Sequence, residues 1–335
     1  MAGFFILAMA LVIAVLGANI RPDSAKDANT QHPELAILEP RSSVQFISLD
    51  EAQTQGFFSR LFFGGDAVRQ EIPVDTFWVQ GQEVFYYLQT SRGAEERVSR
   101  LNTEGKELQV YTRTFWLGTD KLGRCNLSRL MAGTIVSLSV GVISVGIALL
   151  IGIFLGGMAG FFGGWIDQSI MWFVNVVWSI PTLLMVMAIT LALGKGFAQV
   201  FIAVGLTMWV EVARVTRGRF MELRQLDFVK AAELLNAPTQ HIFIKEMLPN
   251  AVGPLVVIAA GNFSTAILLE AGLSFLGIGA QVPMASWGGM IQSHFSYLTS
   301  SAAFIPLIPG FAIMLVVLAF IWLGNTLRDA FDVRS

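Results

Sequence analysis

The sequence contains 335 residues, of which 54% are hydrophobic and only 14% are charged, and its mean hydropathy is +0.62. Because soluble domains usually contain about 25% charged residues, this composition excludes an ordinary soluble protein and favours an integral membrane protein. The net charge of −2 does not suggest nucleic-acid binding, and a single cysteine, Cys125, excludes an intrachain disulfide. Three histidines lie far apart in the sequence and predict no metal site: His32, His241 and His294.

The first apolar run, residues 4–20, contains no charged side chain. A helix needs about 20 mostly apolar residues to cross a bilayer, where backbone groups find no water. The run lacks both a basic start and a small-residue cleavage site. This favours an uncleaved first transmembrane helix over residues 1–20 rather than a signal peptide.

Long gaps between charged residues predict five further transmembrane helices in the second part of the chain. Their predicted bounds are 133–157, 168–193, 197–215, 251–273 and 303–325. With the first helix they predict an all-α polytopic membrane protein of six transmembrane helices, in which residues 131–325 form a five-helix core.

The long polar stretch, residues 21–130, predicts an insertion between the first two helices, together with the lead-in to helix 2. Within it, residues 75–89 and 106–116 are rich in Phe, Tyr, Val and Thr with partial alternation, which predicts β-strands. Residues 91–105 are charged and are predicted to form a connector. We therefore expect a small β-containing domain.

Basic residues concentrate after the fourth predicted helix and in the C-terminal tail. Since short cytoplasmic loops carry an excess of Lys and Arg, the loop 215–249 and the tail 326–335 are predicted to be cytoplasmic. Counting back through the helices places the N-terminus in the cytoplasm and the β-containing insertion outside it. The first residues contain no Lys or Arg to hold them inside, and we expect translation to begin upstream of Met1.

The predicted cytoplasmic loop has the composition of a short helix-turn-helix. Residues 227–235 favour a helix, Asn236 tolerates the left-handed conformation that ends one, and Pro238 suits the first turn of the next. The second helix carries a partial apolar stripe: Ile242, Phe243 and Met247. The pattern alone leaves two interpretations open, a solvated loop and a docking element that transmits force from a soluble partner.

Lys230-Ala231-Ala232, then Asn236, then Leu248-Pro249 resembles the coupling motif of ABC importer permeases, Glu-Ala-Ala-x3-Gly-x9-Ile-x-Leu-Pro. Lys230 stands where the family has Glu, and Asn236 where it has Gly. Asn is the next most tolerant residue at a left-handed position, so the turn can be kept. The resemblance assigns these residues to ATPase coupling: Lys230, Ala231, Ala232, Asn236, Ala237, Pro238, Phe243, Leu248 and Pro249.

Three further segments resemble the dipeptide, oligopeptide and nickel permeases in particular. They are residues 117–129, with Cys125 where that branch usually has Asp, residues 273–279 followed by Ser286-Trp287-Gly288, and residues 327–332. The resemblance covers about 115–335, whereas residues 21–114 match nothing in the short family members.

The resemblance implies a permease subunit of an ATP-driven importer in the bacterial inner membrane, forming half of the path for peptides or a small solute such as nickel. Its implied partners are a second homologous permease, two ABC ATPases and an extracytoplasmic solute-binding protein. The sequence has no P-loop motif and no Ser-His-Asp arrangement. We therefore expect no catalytic site and no bound cofactor, with ATP and Mg²⁺ used by the partner ATPases.

Polar residues within the predicted spans have two interpretations, pore lining and hydrogen bonding between helices or with interfacial water. The candidates for the translocation path are Asn175, Ser179, Asn262, Ser264 and Glu270. We expect Glu211 to pair with Arg214 one turn later, and Trp116, Trp165 and Trp287 to anchor at the membrane interface. The helix count alone would also permit an ATP-independent secondary transporter or channel, which would favour inverted repeats and charges at mid-membrane.

Overall fold

The computed structural model describes residues 2–23, 25, 27–49, 71–91, 93–103, 108–194, 196–281 and 283–332. Within these ranges helices dominate, and one five-stranded sheet lies between the first two long helices. The helices are α1 (Ala2–Ile20), α2 (Asn126–Phe162), α3 (Gly164–Trp178), α4 (Thr182–Leu193), α5 (Phe197–Leu223), α6 (Asp227–Leu234), α7 (Thr239–Phe275), α8 (Trp287–His294) and α9 (Phe304–Asp332). The strands are β1 (Ser42–Ser48), β2 (Glu71–Gln80), β3 (Glu83–Thr90), β4 (Gly93–Asn102) and β5 (Gln109–Phe115).

Five of the described helices, α1, α2, α5, α7 and α9, are long and apolar enough to cross a membrane. The expected third span is not one straight helix. The chain bends by 90° between α3 and α4, where Pro181 removes a backbone donor and sterically obstructs the preceding turn. Counted as one broken span, α3 and α4 bring the number of crossings to six, as predicted from the sequence.

Two helices are much longer than the sequence indicates. Helix α2 has 37 residues and begins at Asn126 rather than near residue 133, and α7 runs unbroken over 37 residues from Thr239. At 1.5 Å per residue each is about 55 Å long, which exceeds a hydrocarbon core of about 30 Å. Both helices therefore extend beyond the bilayer.

The sheet is antiparallel, with the strand order β4-β3-β2-β1-β5. Gly81 has a φ of 62° in the turn that joins β2 to β3, which divides the predicted strand 75–89 into a hairpin. The expected connector at 91–105 is wrong, because β4 occupies most of it. The core of this sheet is formed by Ile47, Val74 and Val84, each nearly fully buried.

The chain divides into two compact units. One contains Met1–Ala8, Ser137–Gln281 and Ile313–Ser335, and the other contains Met9–Val136 and Val282–Ala312.

In the first unit, glycines spaced four residues apart on α2 face α5: Gly152, Gly156 and Gly160. A Cβ on Gly156 would collide with the backbone of Ala213. Small residues at this spacing allow two membrane helices to approach closely.

In the second unit, the 117–129 segment folds into a tight loop around the buried Asp120. One carboxylate oxygen accepts the N–H groups of Leu122 and Arg124 at 2.9 and 3.0 Å, and the other accepts Arg124 Nε at 2.7 Å. Trp287 is only 2% exposed and donates its indole N–H to Leu130 O at 2.9 Å. The expectation that Trp287 anchors at the membrane surface is therefore wrong, because its ring packs over Gly133.

Candidate functional site

Residues 226–249, which we call the elbow, form the predicted helix-turn-helix. Helix α6 ends in a Schellman turn, in which Ala237 N–H donates to Ala232 O and Asn236 N–H donates to Glu233 O, at 3.1 and 2.9 Å. Asn236 has a φ of 58°, so the prediction of a left-handed residue here is confirmed. Pro238 then directly precedes Thr239, the first residue of α7.

The first arm of the elbow, α6, is anchored by one side and exposed on the other. Val229 is fully buried in the main hydrophobic core of its unit, and Ala232 and Ala237 pack against that core. Lys230 is exposed, and its amine lies 3.9 Å from the Asp227 carboxylate. Such an exposed pair contributes little to stability, so the Lys that departs from the family pattern is available to a partner.

The second arm is the start of α7, where residues Ile242–Met247 form a π-helical stretch. Ile242 and Met247 are buried. The ring of Phe243 lies 4.9 Å from that of Phe220 in α5 and 6.1 Å from that of Phe161 in α2, measured between centroids. The predicted apolar stripe therefore faces inward and fixes the elbow to two long helices.

The most exposed apolar residues of the elbow lie at its tip, where α6 ends, and Leu226, Phe228 and Ile244 are exposed to a smaller extent. Leu234 is 87% exposed and Leu235 is 83% exposed. Reasoning from the sequence missed them because it followed the stripe on the second arm. The available signal was two consecutive leucines immediately before a left-handed residue, where a helix end cannot bury both. Leu248 and Pro249, by contrast, begin the regular part of α7.

Polar contacts tie the end of α5 to the turn between α2 and α3. Arg217 pairs with Asp167 through two nitrogens, with Nη2 to Oδ2 at 2.6 Å. Arg224 donates to Phe161 O at 2.5 Å. A bidentate arginine pair is geometrically specific, so the helix that leads into the elbow is held in one orientation.

Three of the five candidates for the translocation path are buried within the chain. Asn262 is 3% exposed, Ser264 is 5% exposed and Glu270 is 1% exposed. Ser264 donates to Val317 O in α9 at 3.3 Å, and Ser274 donates to Glu270 Oε1 at 2.6 Å. In this conformation these side chains are buried within the chain, where Ser264 joins α7 to α9 and Ser274 joins Glu270 to the end of α7, and their place in the translocation path stays a prediction.

The other two candidates, Asn175 and Ser179, are exposed near the bend between α3 and α4. Asn175 accepts a hydrogen bond from Arg214 Nη2 at 2.7 Å, and the Arg214 guanidinium lies 3.3 Å from the centroid of the Trp178 ring. The expected pair between Glu211 and Arg214 does not form, because α3 supplies Arg214 with both an amide acceptor and an aromatic face.

The part of the chain that the structure describes contains no group of three or more His, Cys, Asp or Glu side chains placed to hold a metal ion. Its apolar helices, long enough to cross a membrane, and the close glycine-lined contact between α2 and α5 define a polytopic membrane protein.

Comparison with known proteins gives the family. Residues 148–334 match the family described as binding-protein-dependent transport system inner membrane component. The glutathione transport system permease protein GsiD of Pectobacterium atrosepticum is 39% identical over 219 residues, which cover 65% of this chain and 72% of that protein. The dipeptide transport system permease protein DppC of Alkalihalophilus pseudofirmus is 38% identical over 227 residues, 68% of this chain and 74% of that protein.

The oligopeptide transport system permease protein OppC of Bacillus subtilis is 36% identical over 223 residues, 67% of this chain and 73% of that protein. Among solved structures, a chain of the inward-facing methionine ABC transporter MetNI is similar over 60% of this chain and 95% of that chain, with a TM-score of 0.49 and 16% identity. This chain belongs to the family of binding-protein-dependent transport system inner membrane components.

Proposed function

We propose that this chain is the transmembrane permease subunit of an ATP-driven ABC importer for peptides, and that residues 226–249 receive a partner ATPase. The observation that carries the proposal is the elbow itself. Its inner side is fixed to α2 and α5 through Phe243, while Leu234 and Leu235 are exposed at its tip. A docked partner would bury these two side chains and gain apolar contact area.

The mechanism follows from how rigidly the elbow is held. A force applied at the tip passes through the Schellman turn at Asn236 into α7, and through the buried Val229 and Phe243 into the core shared with α5. Closure of two partner ATPases on ATP would thereby reorient the helices and open the path outward. ATP and Mg²⁺ bind the partners, and this chain supplies no catalytic group.

The orientation we propose follows the basic residues. Residues 217–249, from the last two turns of α5 to the end of the elbow, contain five of them: Arg217, Arg219, Arg224, Lys230 and Lys245. Such an excess favours the cytoplasmic side. Both termini are then cytoplasmic, the sheet lies outside the cytoplasmic membrane of a bacterium, and an extracytoplasmic binding protein delivers the solute there.

The solute class rests on the names of the relatives, which are permeases for dipeptides, oligopeptides and glutathione. All three are peptides, so we propose a peptide as the solute, with nickel or another small solute as the alternative within the same branch. We also propose a second, related permease as the other half of the path.

The test is peptide uptake into proteoliposomes that contain the assembled importer and its binding protein. Tri-alanine should accumulate only when ATP is enclosed with the ATPase subunits, and omission of the ATPases should abolish uptake. An ATP-independent transporter or channel would retain full uptake without them, and that result would overturn the proposal.

A further inference from the structure

Glu211 lies at membrane depth wherever the bilayer is placed along α5. This helix has 27 residues, from Phe197 to Leu223, and a crossing requires about 20. Every 20-residue stretch of the helix therefore includes residues 204–216. Glu211 stands at least five residues from either end of any such stretch, which is roughly 7 Å along the helix axis.

The Glu211 side chain is also exposed on the surface of the chain. Within the described residues it makes no hydrogen bond and no ion pair, although Arg217 and Arg219 of the same helix both have carboxylate partners. A carboxylate facing hydrocarbon at this depth is costly. This surface of α5 is therefore unsuited to lipid and suited to water or a polar partner.

The groups beside Glu211 explain which charge it would attract. Arg214, one turn further along, is held by the Asn175 amide and the Trp178 ring. The guanidinium is thus positioned by α3 and forms no ion pair with Glu211. Among the described residues, neither the Glu211 carboxylate nor the Arg214 guanidinium has an ion-pair partner within 4 Å, so the surface next to the α3–α4 bend presents one group of each charge. Glu211 can therefore receive a cationic group from outside the chain.

We propose that Glu211 lines the water-filled solute path and binds the ammonium group of the transported solute, with Arg214 and Asn175 as positioning residues. The inference rests on the proposed function, since an α-ammonium group is common to dipeptides, oligopeptides and glutathione. It assigns the path to this side of α5 and α3, and not to the buried residues of α7.

Water access is tested by cysteine labelling of the assembled importer. In a Cys125→Ser background the introduced cysteine is the only one in this chain. Glu211→Cys should react with a membrane-impermeant cationic thiol reagent at least about tenfold faster than Ile202→Cys. Ile202 is also exposed but lies nine residues away, about two and a half turns, on the opposite side of the helix. Equal labelling rates at the two positions would overturn the inference.

Ammonium binding is tested by uptake of tri-alanine and N-acetyl-tri-alanine. The wild-type importer should take up tri-alanine faster than N-acetyl-tri-alanine. In the Glu211→Gln variant, uptake of tri-alanine should fall about tenfold or more, which is the scale of one charge-assisted contact. The variant should then take up the two peptides at similar rates. Glu222→Gln is the matched control, because Glu222 is an exposed carboxylate in the last turn of the same helix, paired with Arg219.

Two outcomes would refute ammonium binding by Glu211. If Glu211→Gln takes up both peptides like wild type, the carboxylate does not contact the solute. If the variant no longer co-purifies with the second permease, Glu211 is an interface residue. Should the wild-type importer show no ATP-dependent uptake, the proposed function fails, while the labelling rates still decide whether Glu211 meets water.

Discussion

Gly156 of α2 lies directly against the backbone of Ala213 in α5, so closely that any side chain at position 156 would collide with the Ala213 carbonyl. The contact lies between two helices that both meet the elbow, since α5 ends shortly before α6 and Phe243 of the elbow packs against Phe161 of α2 and Phe220 of α5. A movement of the elbow is therefore transmitted to a closely packed pair of helices and not to isolated ones.

Replacing Gly156 by Ala should destabilise the protein, because the obstructing atoms belong to a backbone and cannot rotate away. The expected loss is about 1 to 3 kcal/mol, the range for overpacked cores. Thermal unfolding of the detergent-solubilised chain measures it.

Gly146 of the same helix provides the matched control, since a Cβ there meets no atom within 4 Å. Gly146→Ala should leave stability unchanged or raise it by about 0.5 to 1 kcal/mol through helix propensity. Equal effects of the two substitutions would show that the close contact between α2 and α5 is not present in solution.

The turn of the elbow depends on the positive φ of Asn236. Asn236→Val should cost about 1 to 2 kcal/mol, because a β-branched residue is strained in the left-handed region. Asn236→Gly, which restores the family residue, should be neutral or slightly stabilising. Unfolding midpoints of the three proteins check this, and a Val variant as stable as wild type would exclude a left-handed turn. Asn236 is exposed, so lost packing does not complicate the comparison.

A buried ionic cluster should make the stability of the sheet depend on pH. His32 lies 3.6 Å from Glu34 and 3.7 Å from Glu71, and Arg113 lies 2.9 Å from Glu71. Burial alone would lower the pKa of His32, but the two carboxylates outweigh it and raise that pKa. Burial opposes ionisation of Glu71 as well, yet His32, Arg113 and Tyr111 hold the Glu71 pKa at about 2.

The contributions of His32 and Glu71 to stability change with pH in opposite directions. The His32 contribution is complete below pH 6.5 and is lost as the pH rises through the raised pKa. The Glu71 contribution is present above pH 4.5 and is lost as the pH falls toward about 2. Stability from this cluster should therefore be greatest between about pH 4.5 and 6.5. Tryptophan fluorescence during urea unfolding of the full chain, recorded across pH, measures it.

His32→Gln should abolish the loss of stability above pH 6.5, whereas His241→Gln should keep it, because His241 is exposed on the elbow and its only ion-pair neighbour among the described residues is Glu246 at 3.6 Å. A wild-type profile that stays flat from pH 5 to 9 would contradict the proposed role of His32.

The features that depended on local preferences could be predicted from the sequence. The left-handed turn at Asn236 follows from backbone sterics at a single residue. Residues 168–193 were predicted as one span, and they contain a break at Pro181. The 90° angle at that break could not be predicted, because tertiary packing sets its direction. Strand β4 was missed because it lies at the edge of the sheet, where charged residues such as Arg97 and Arg100 are common and obscure the alternation.

Burial within the membrane core was the least predictable property. Glu270 and Asn262 are polar residues of the kind that can line a translocation path. Their burial depends on which face of α7 packs against the rest of the chain. Helix α7 is apolar around its whole circumference, so its sequence contains no periodicity that identifies the inner face. The contacts of Arg214 with Asn175 and Trp178 of α3 could not be predicted either, because they depend on how α5 packs against α3.

The most direct test of the central claim is recovery of the partner ATPase with the affinity-purified permease. Leu235→Asp should lower that recovery about tenfold or more while leaving the unfolding midpoint unchanged, because Leu235 is 83% exposed. Val79→Asp, at a residue 53% exposed on the sheet, should recover as much ATPase as wild type. Undiminished recovery with Leu235→Asp, or an equal loss with Val79→Asp, would contradict coupling through the elbow.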